Sequence, residues 1–156
     1  MWEVYEKHPE IFKKHYDAEY LRLIVFVFYE MLKGDQSFFH PYFEVISETD
    51  LPMTWSEDEL TEFQDQVLKA TILNYKKEYE EEWTLVKKTL DLYPALFNGI
   101  TDPEQQGKMY KLFTRAFINV VTRCFGWGLP CTTMVPFADF INHHNVDSSY
   151  ELISRD

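Results

Sequence analysis

The stretch Ala18-Glu19-Tyr20-Leu21-Arg22-Leu23-Ile24-Val25-Phe26-Val27-Phe28-Tyr29-Glu30-Met31-Leu32, followed by Lys33-Gly34, decides the fold. Leu21, Ile24, Val25 and Phe28 recur at the period of one helical face, while Phe26 and Val27 fill the other side. A helix that is apolar nearly all round loses free energy only by burial on several sides, so this one belongs at the centre of the molecule. The inner run Ile24 to Phe28 is also β-prone. Length and Gly34 decide for helix, because a residue without Cβ readily takes the left-handed conformation that ends one. Asp17 stands where an N-cap is wanted.

Working outward, residues 3–14 read as a short helix interrupted or begun near Pro9. Beyond Gly34, Pro41 suits the first turn of a short helix within 36–47. Thr49 to Thr54, with Pro52, reads as a loop. Trp55-Ser56-Glu57-Asp58-Glu59 is a helix start: Ser56 caps, Glu59 stands three residues later, and three acids face the positive helix end. The helix that follows is expected to reach about Leu92, with room for a break. Leu60, Phe63, Val67, Ala70, Trp83, Val86 and Leu90 mark its apolar positions, and the charged run Lys76 to Glu82 is read as a solvated face. Pro94, Asn98-Gly99 and Asp102-Pro103 signal a loop. A further helix is expected from Pro103 to about Phe125, with Met109, Leu112, Phe113, Ala116, Phe117, Val120 and Cys124 as its stripe and Gly126 and Gly128 ending it. After residue 128 the pattern changes. Met134 to His143 reads as an extended piece followed by a turn or single-turn helix, and Ser149 to Ile153 as a strand. The expected fold is mainly α: a multi-helix bundle over residues 1–128, then a short β/irregular segment over 129–156.

The 156 residues are 46% hydrophobic and 17% aromatic, enough for a packed core. The net charge of -11 supplies no Lys/Arg cluster for phosphates, so nucleic-acid binding is not expected. An acidic surface suits a basic partner, and it also serves plain solubility. Cys124 and Cys131 form neither a disulfide framework nor a Cys-x-x-Cys site, which points to a reducing compartment. No apolar run approaches the roughly 20 residues of a membrane span, and residues 1–14 lack a signal-peptide core. A soluble, intracellular protein, cytoplasmic or nuclear, is expected. His143, His144 and the cysteines fit no zinc spacing, and no metal is expected.

Three patches then occur in one order. Tyr29-Glu30-Met31-Leu32-Lys33-Gly34-Asp35-Gln36-Ser37-Phe38-Phe39-His40-Pro41-Tyr42 comes first, and Trp55-Ser56 with Glu59-Leu60 second. The third is Thr122-Arg123-Cys124-Phe125 with Met134-Val135-Pro136-Phe137-Ala138-Asp139-Phe140-Ile141-Asn142-His143. Together they resemble the SET-domain protein methyltransferases of the Rubisco large-subunit lysine methyltransferase-like branch, which also includes the actin-histidine methyltransferase. The resemblance implies that residues 1–128 are the helical SET insert and 129–156 a partial SET segment carrying the Asn-His motif. It implies S-adenosylmethionine as cofactor. Asn142 and His143 would hold its adenosine part, and Arg123 would meet its carboxylate, which a planar guanidinium can bind with two hydrogen bonds. Asp139 would lie on the substrate side or cap the turn to Asn142. Tyr150 would line the target-lysine pocket or serve as a core tyrosine. The substrate would be a protein bearing the target lysine, or in some relatives a histidine.

Departures bear on activity. No Gly-x-Gly segment precedes Ala18, the family's catalytic tyrosine is expected beyond Asp156, and His144 replaces the usual serine. The chain by itself is therefore expected to be an inactive fragment of the enzyme, with apolar surface prone to self-association. The rival reading is a non-catalytic helical module, derived from such an insert, that contacts a partner protein.

Overall fold

Helix α3 (Ala18–Leu32) does run through the centre, in a computed structural model that describes residues 2–12, 18–94, 103–126 and 129–141. Leu21, Val25 and Phe28 are fully buried, whereas Phe26 remains 37% exposed, so one side of the helix stays open. Its main partner is α7 (Pro103–Arg123), whose Phe113, Ala116 and Val120 are fully buried on the facing side. Phe28 meets Phe113 edge to face, with centroids 6.0 Å apart. The third layer is α6 (Gln66–Leu92), which contributes Tyr79, Trp83 and Val86 to the same core. Two short helices, α1 (Trp2–Lys7) and α2 (Pro9–Phe12), cover α3 from the N-terminal side through Val4, Ile11 and Phe12. His8, between them, shares a 2.9 Å hydrogen bond with the Tyr93 hydroxyl at the end of α6.

Gly34 ends α3 with a φ of 57°, the left-handed conformation expected of it. A single 3-10 turn, Gly34–Gln36, then leads to Ser37. Ser37 Oγ donates to Glu30 Oε2 at 2.7 Å, and Lys33 Nζ meets Glu30 Oε1 at 2.6 Å. A carboxylate 6% exposed is costly unless paired and hydrogen-bonded, and both oxygens of Glu30 have partners. The Glu, Gly and Ser of the first motif patch therefore have a structural use here, as the joint between α3 and α4 (His40–Val45). Pro41 lies in the first turn of α4, which buries Tyr42 and Phe43. Arg115 of α7 donates from Nη2 to the Phe43 carbonyl at 2.6 Å and ties α4 to the core.

The expected capping box is present. Ser56 Oγ accepts from the Glu59 amide, and Glu59 accepts from the Ser56 amide, at the start of α5 (Glu57–Thr61). Those bonds hold the Glu59 carboxyl below its ordinary range. The unfolded chain then binds more protons than the folded one in acid. The contribution is present above the ordinary glutamate value, about 4.3, and is lost as pH falls through the lowered folded value. A Glu59→Ala variant is expected to be less stable than the parent at neutral pH and to converge with it in acid. Urea unfolding at several pH values tests this, and a constant difference down to acid pH would refute it.

The break for which the helix after Ser56 left room is present: α5 ends at Thr61, and Asp65 starts α6 afresh, its Oδ1 accepting from the Val67 and Leu68 amides. Three other expectations need correction. The break shifts the helical phase, so Leu60 is 1% exposed but Val67 is 78% exposed and Ala70 also faces solvent. Within the charged run, Tyr79 is 3% exposed, because α6 turns it onto Phe113 and Phe117. Finally α7 ends at Arg123, and Cys124 opens a strand instead of closing the helical stripe. Pro52–Thr54, within the expected loop, forms a 3-10 turn. Among the described residues no helix is long and apolar enough to cross a membrane.

Candidate functional site

The site begins where α7 stops. Strand β1 (Cys124–Phe125) pairs antiparallel with β2 (Thr133–Met134), Cys124 opposite Met134 and Phe125 opposite Thr133. This ribbon sends the chain back past the end of α7. Thr132 Oγ1 donates to Glu19 Oε2 at 3.2 Å, which fastens the ribbon to α3. After Pro136 the backbone enters a tight turn, with the Ala138 amide bonded to the Val135 carbonyl at 3.1 Å. Phe137 takes a φ of 70°, a conformation that an L side chain adopts at a cost of order 1–3 kcal/mol. Its ring lies 5.8 Å from Tyr42 and 6.1 Å from Phe140, contacts that help offset the strain. The 3-10 turn Ala138–Phe140 then aims Asp139 at Arg123.

Arg123 Nη1 donates to Asp139 Oδ2 at 3.0 Å, and the side chains are only 14% and 2% exposed. Tyr42 Oη donates to the same Oδ2 at 2.7 Å, across 97 positions of sequence. Arg123 Nη2 reaches Ser47 Oγ at 3.4 Å, and the guanidinium lies 5.5 Å from the Phe140 ring centre. The junction thus joins α4, α7 and the turn after β2. It is not saturated: among the described residues, Asp139 Oδ1 and Arg123 Nε are buried and have no hydrogen-bond partner. One unpartnered buried acceptor and one unpartnered buried donor at the same junction are able to take a further polar group after a small opening.

Tyr42 holds its proton well above the ordinary tyrosine value. Burial is the main cause, followed by the bond to Asp139 and its charge, while Arg123 pulls the other way. An unfolded tyrosine ionises near pH 10, as marked by its ordinary value of about 10. Above that pH the unfolded state binds fewer protons, so stability is complete below it and falls as pH rises toward the raised folded value. Alkaline unfolding followed by circular dichroism is expected to be steeper for the parent than for Tyr42→Phe. Equal slopes would remove Tyr42 from the linkage.

Of the residues singled out in the sequence, Arg123 and Asp139 are brought together, as partners in one ion pair. The resemblance gives Arg123 to the donor's carboxylate and Asp139 to the substrate side or to a cap for the turn to Asn142. Asn142, His143 and Tyr150 lie outside the described residues. Tyr42, Ser47, Phe137 and Phe140 complete the junction, and none of them was given a role from sequence. A signal existed for Tyr42, since a tyrosine on the apolar face of a short helix needs a partner for its hydroxyl. Among the described residues no group of three or more His, Cys, Asp and Glu could hold a metal ion. Comparison of the chain with models of known families, with curated proteins and with solved structures finds no match.

Proposed function

We propose that the chain is the helical insert and first donor-binding segment of an S-adenosylmethionine-dependent protein methyltransferase of the SET type. The proposed target is a lysine, or a histidine, of a protein substrate. The observation that carries this reading is the convergence of motif residues. Tyr42 of the first patch and Arg123 and Asp139 of the third, far apart in sequence, meet at one buried junction. The unpartnered Nε of Arg123 suits a carboxylate oxygen, which is the donor's anionic group in this reading. Asn142 and His143 follow the junction directly in sequence and would hold the adenosine part.

When bound, S-adenosylmethionine supplies an electrophilic methyl group on a sulfonium. The chain's own part is orientation. Asp139 fixes the plane of the Arg123 guanidinium, and Tyr42 fixes Asp139, so a carboxylate meets a donor whose geometry is set in advance. Asp139 is thus a positioning residue for Arg123 in this proposal.

The test is calorimetric titration with S-adenosylhomocysteine of the parent, Arg123→Ala and Asn142→Ala, each checked for folding by circular dichroism. Saturable binding weakened by about tenfold in both variants, near 1.4 kcal/mol, is the expected result. Absence of binding to the parent sinks the donor-site reading. The rival, a non-catalytic helical interaction module, draws on a separate feature, the groove beside α6.

A further inference from the structure

The N-terminal half of α6 stands away from the α3–α7 pair. The 3-10 turn Pro52–Thr54 sits between them, and Lys76 Nζ holds this spacing by donating to the Trp55 carbonyl at 2.9 Å. The result is a groove of about 540 Å³, within the range of sites that hold ligands. Its walls carry Tyr75, Glu78 and Glu82 from α6, Tyr20 from α3 and Phe117 from α7, with Met53 below. Among the described residues no Lys or Arg lines it. None of its residues belongs to the Arg123–Asp139–Tyr42 junction.

Aromatic faces attract a cation through their quadrupole, and carboxylates at the same wall add direct Coulomb attraction. Apolar walls meanwhile favour a long methylene stem over a hydrated ion. An anion or a polar neutral group would gain nothing here that water does not offer. Glu78 accepts from Asn74 Nδ2 at 2.8 Å, which orients its carboxylate at the rim. The chain's charge of -11 attracts a basic partner from a distance as well.

We infer that this groove docks a lysine side chain, together with an apolar neighbour, from a segment of a partner protein. The volume exceeds what one lysine fills, and the Ile72 and Met53 side of the groove takes the neighbour. The inference is independent of the methyl-donor reading and goes beyond it, because it concerns a different face of the molecule.

The experiment uses the full chain and three short blocked peptides of sequence Ala-Leu-X-Leu-Ala. X is lysine, norleucine, its neutral analogue of equal alkyl length, or trimethyl-lysine. Binding is followed by calorimetry and by NMR of the tyrosine rings. The lysine peptide is expected to bind about tenfold more tightly than the norleucine peptide, and to weaken in 0.5 M salt. Tyr75→Ala and Glu78→Gln should each weaken it severalfold. Both positions are exposed, so these variants keep the fold. Tighter binding of trimethyl-lysine would support the same groove and assign the larger share to the rings. Norleucine binding as well as lysine, indifference to both substitutions, or no binding by any peptide would each overturn the proposal. None of these outcomes depends on whether S-adenosylhomocysteine binds.

Discussion

Asp139→Ala is expected to lower the stability of the folded chain by about 3 kcal/mol, the lower end of the cost of leaving one partner of a buried ion pair uncompensated. The Asp139 side chain is 2% exposed and its Oδ2 accepts from both Arg123 and Tyr42. Removal leaves the Arg123 guanidinium, only 14% exposed in the intact protein, with a long contact to Ser47 and the Phe140 ring but no counter-charge, and leaves the Tyr42 hydroxyl without its acceptor. Asp139→Asn should cost less, since a carbonyl oxygen can still accept from one of them. The paired replacement Arg123→Met with Asp139→Leu should recover most of the loss, because no charge is left stranded in the interior. Urea unfolding of the three variants measures this. A loss under about 0.5 kcal/mol, the size of an ordinary surface substitution, would mean that the turn after β2 opens without cost and that the junction is not a fixed site. The same series bears on function: a positioning role predicts that Asp139→Asn weakens S-adenosylhomocysteine binding by more than its effect on stability would explain.

Phe113→Ala is expected to cost about 4 kcal/mol, within the usual range for emptying a large aromatic position in a core. Phe113, on α7, is fully buried and touches the other two long helices, α3 and α6. It meets Phe28 of α3 at 6.0 Å, lies nearly parallel to Tyr79 of α6 at 5.6 Å and tilts against Trp83 at 5.2 Å. The transfer term and the cavity both count, and three ring contacts vanish together. The surrounding rings are too large to close the gap. Chemical unfolding should show a lower midpoint with a still-cooperative transition. A loss near 1 kcal/mol, as for a typical exposed or peripheral site, would place the hub of the core elsewhere. Phe117→Ala, at a half-buried neighbour, should cost clearly less and serves as the comparison.

How far the molecule was legible before its structure depends on the kind of residue. The central helix, the glycine stop, the proline in the first turn of α4 and the capping box are local matters. Each follows from backbone preferences or bonds within four or five residues, so they were read correctly. The break at Glu62 to Gln64 was less visible, because no proline or glycine marks it and Asp65 announces the new start only once the first helix has ended. Tyr79 was hidden by its neighbours: seven charged or polar-tipped residues in a row suggest solvent, but a helix samples every direction within one turn. Cys124 fitted the apolar stripe of α7 and left it only because its partner strand, eight to ten residues on, takes up its backbone.

The candidate site divides in the same way. Arg123 and Asp139 carry charge at spaced motif positions, so both could be named from sequence, yet nothing local says that they face each other. That depends on the ribbon, on the left-handed turn at Phe137 and on Tyr42, which lies 97 positions before Asp139. Sequence alone determined a mainly helical chain with a buried central helix, since periodicity, caps and stops act over a few residues. Tertiary structure alone decided which charges are paired, which tyrosine proton is held and which aromatic rings flank an acidic groove. Those outcomes come from burial and from distances between segments remote in the chain, where desolvation sets the energy and no local pattern records it.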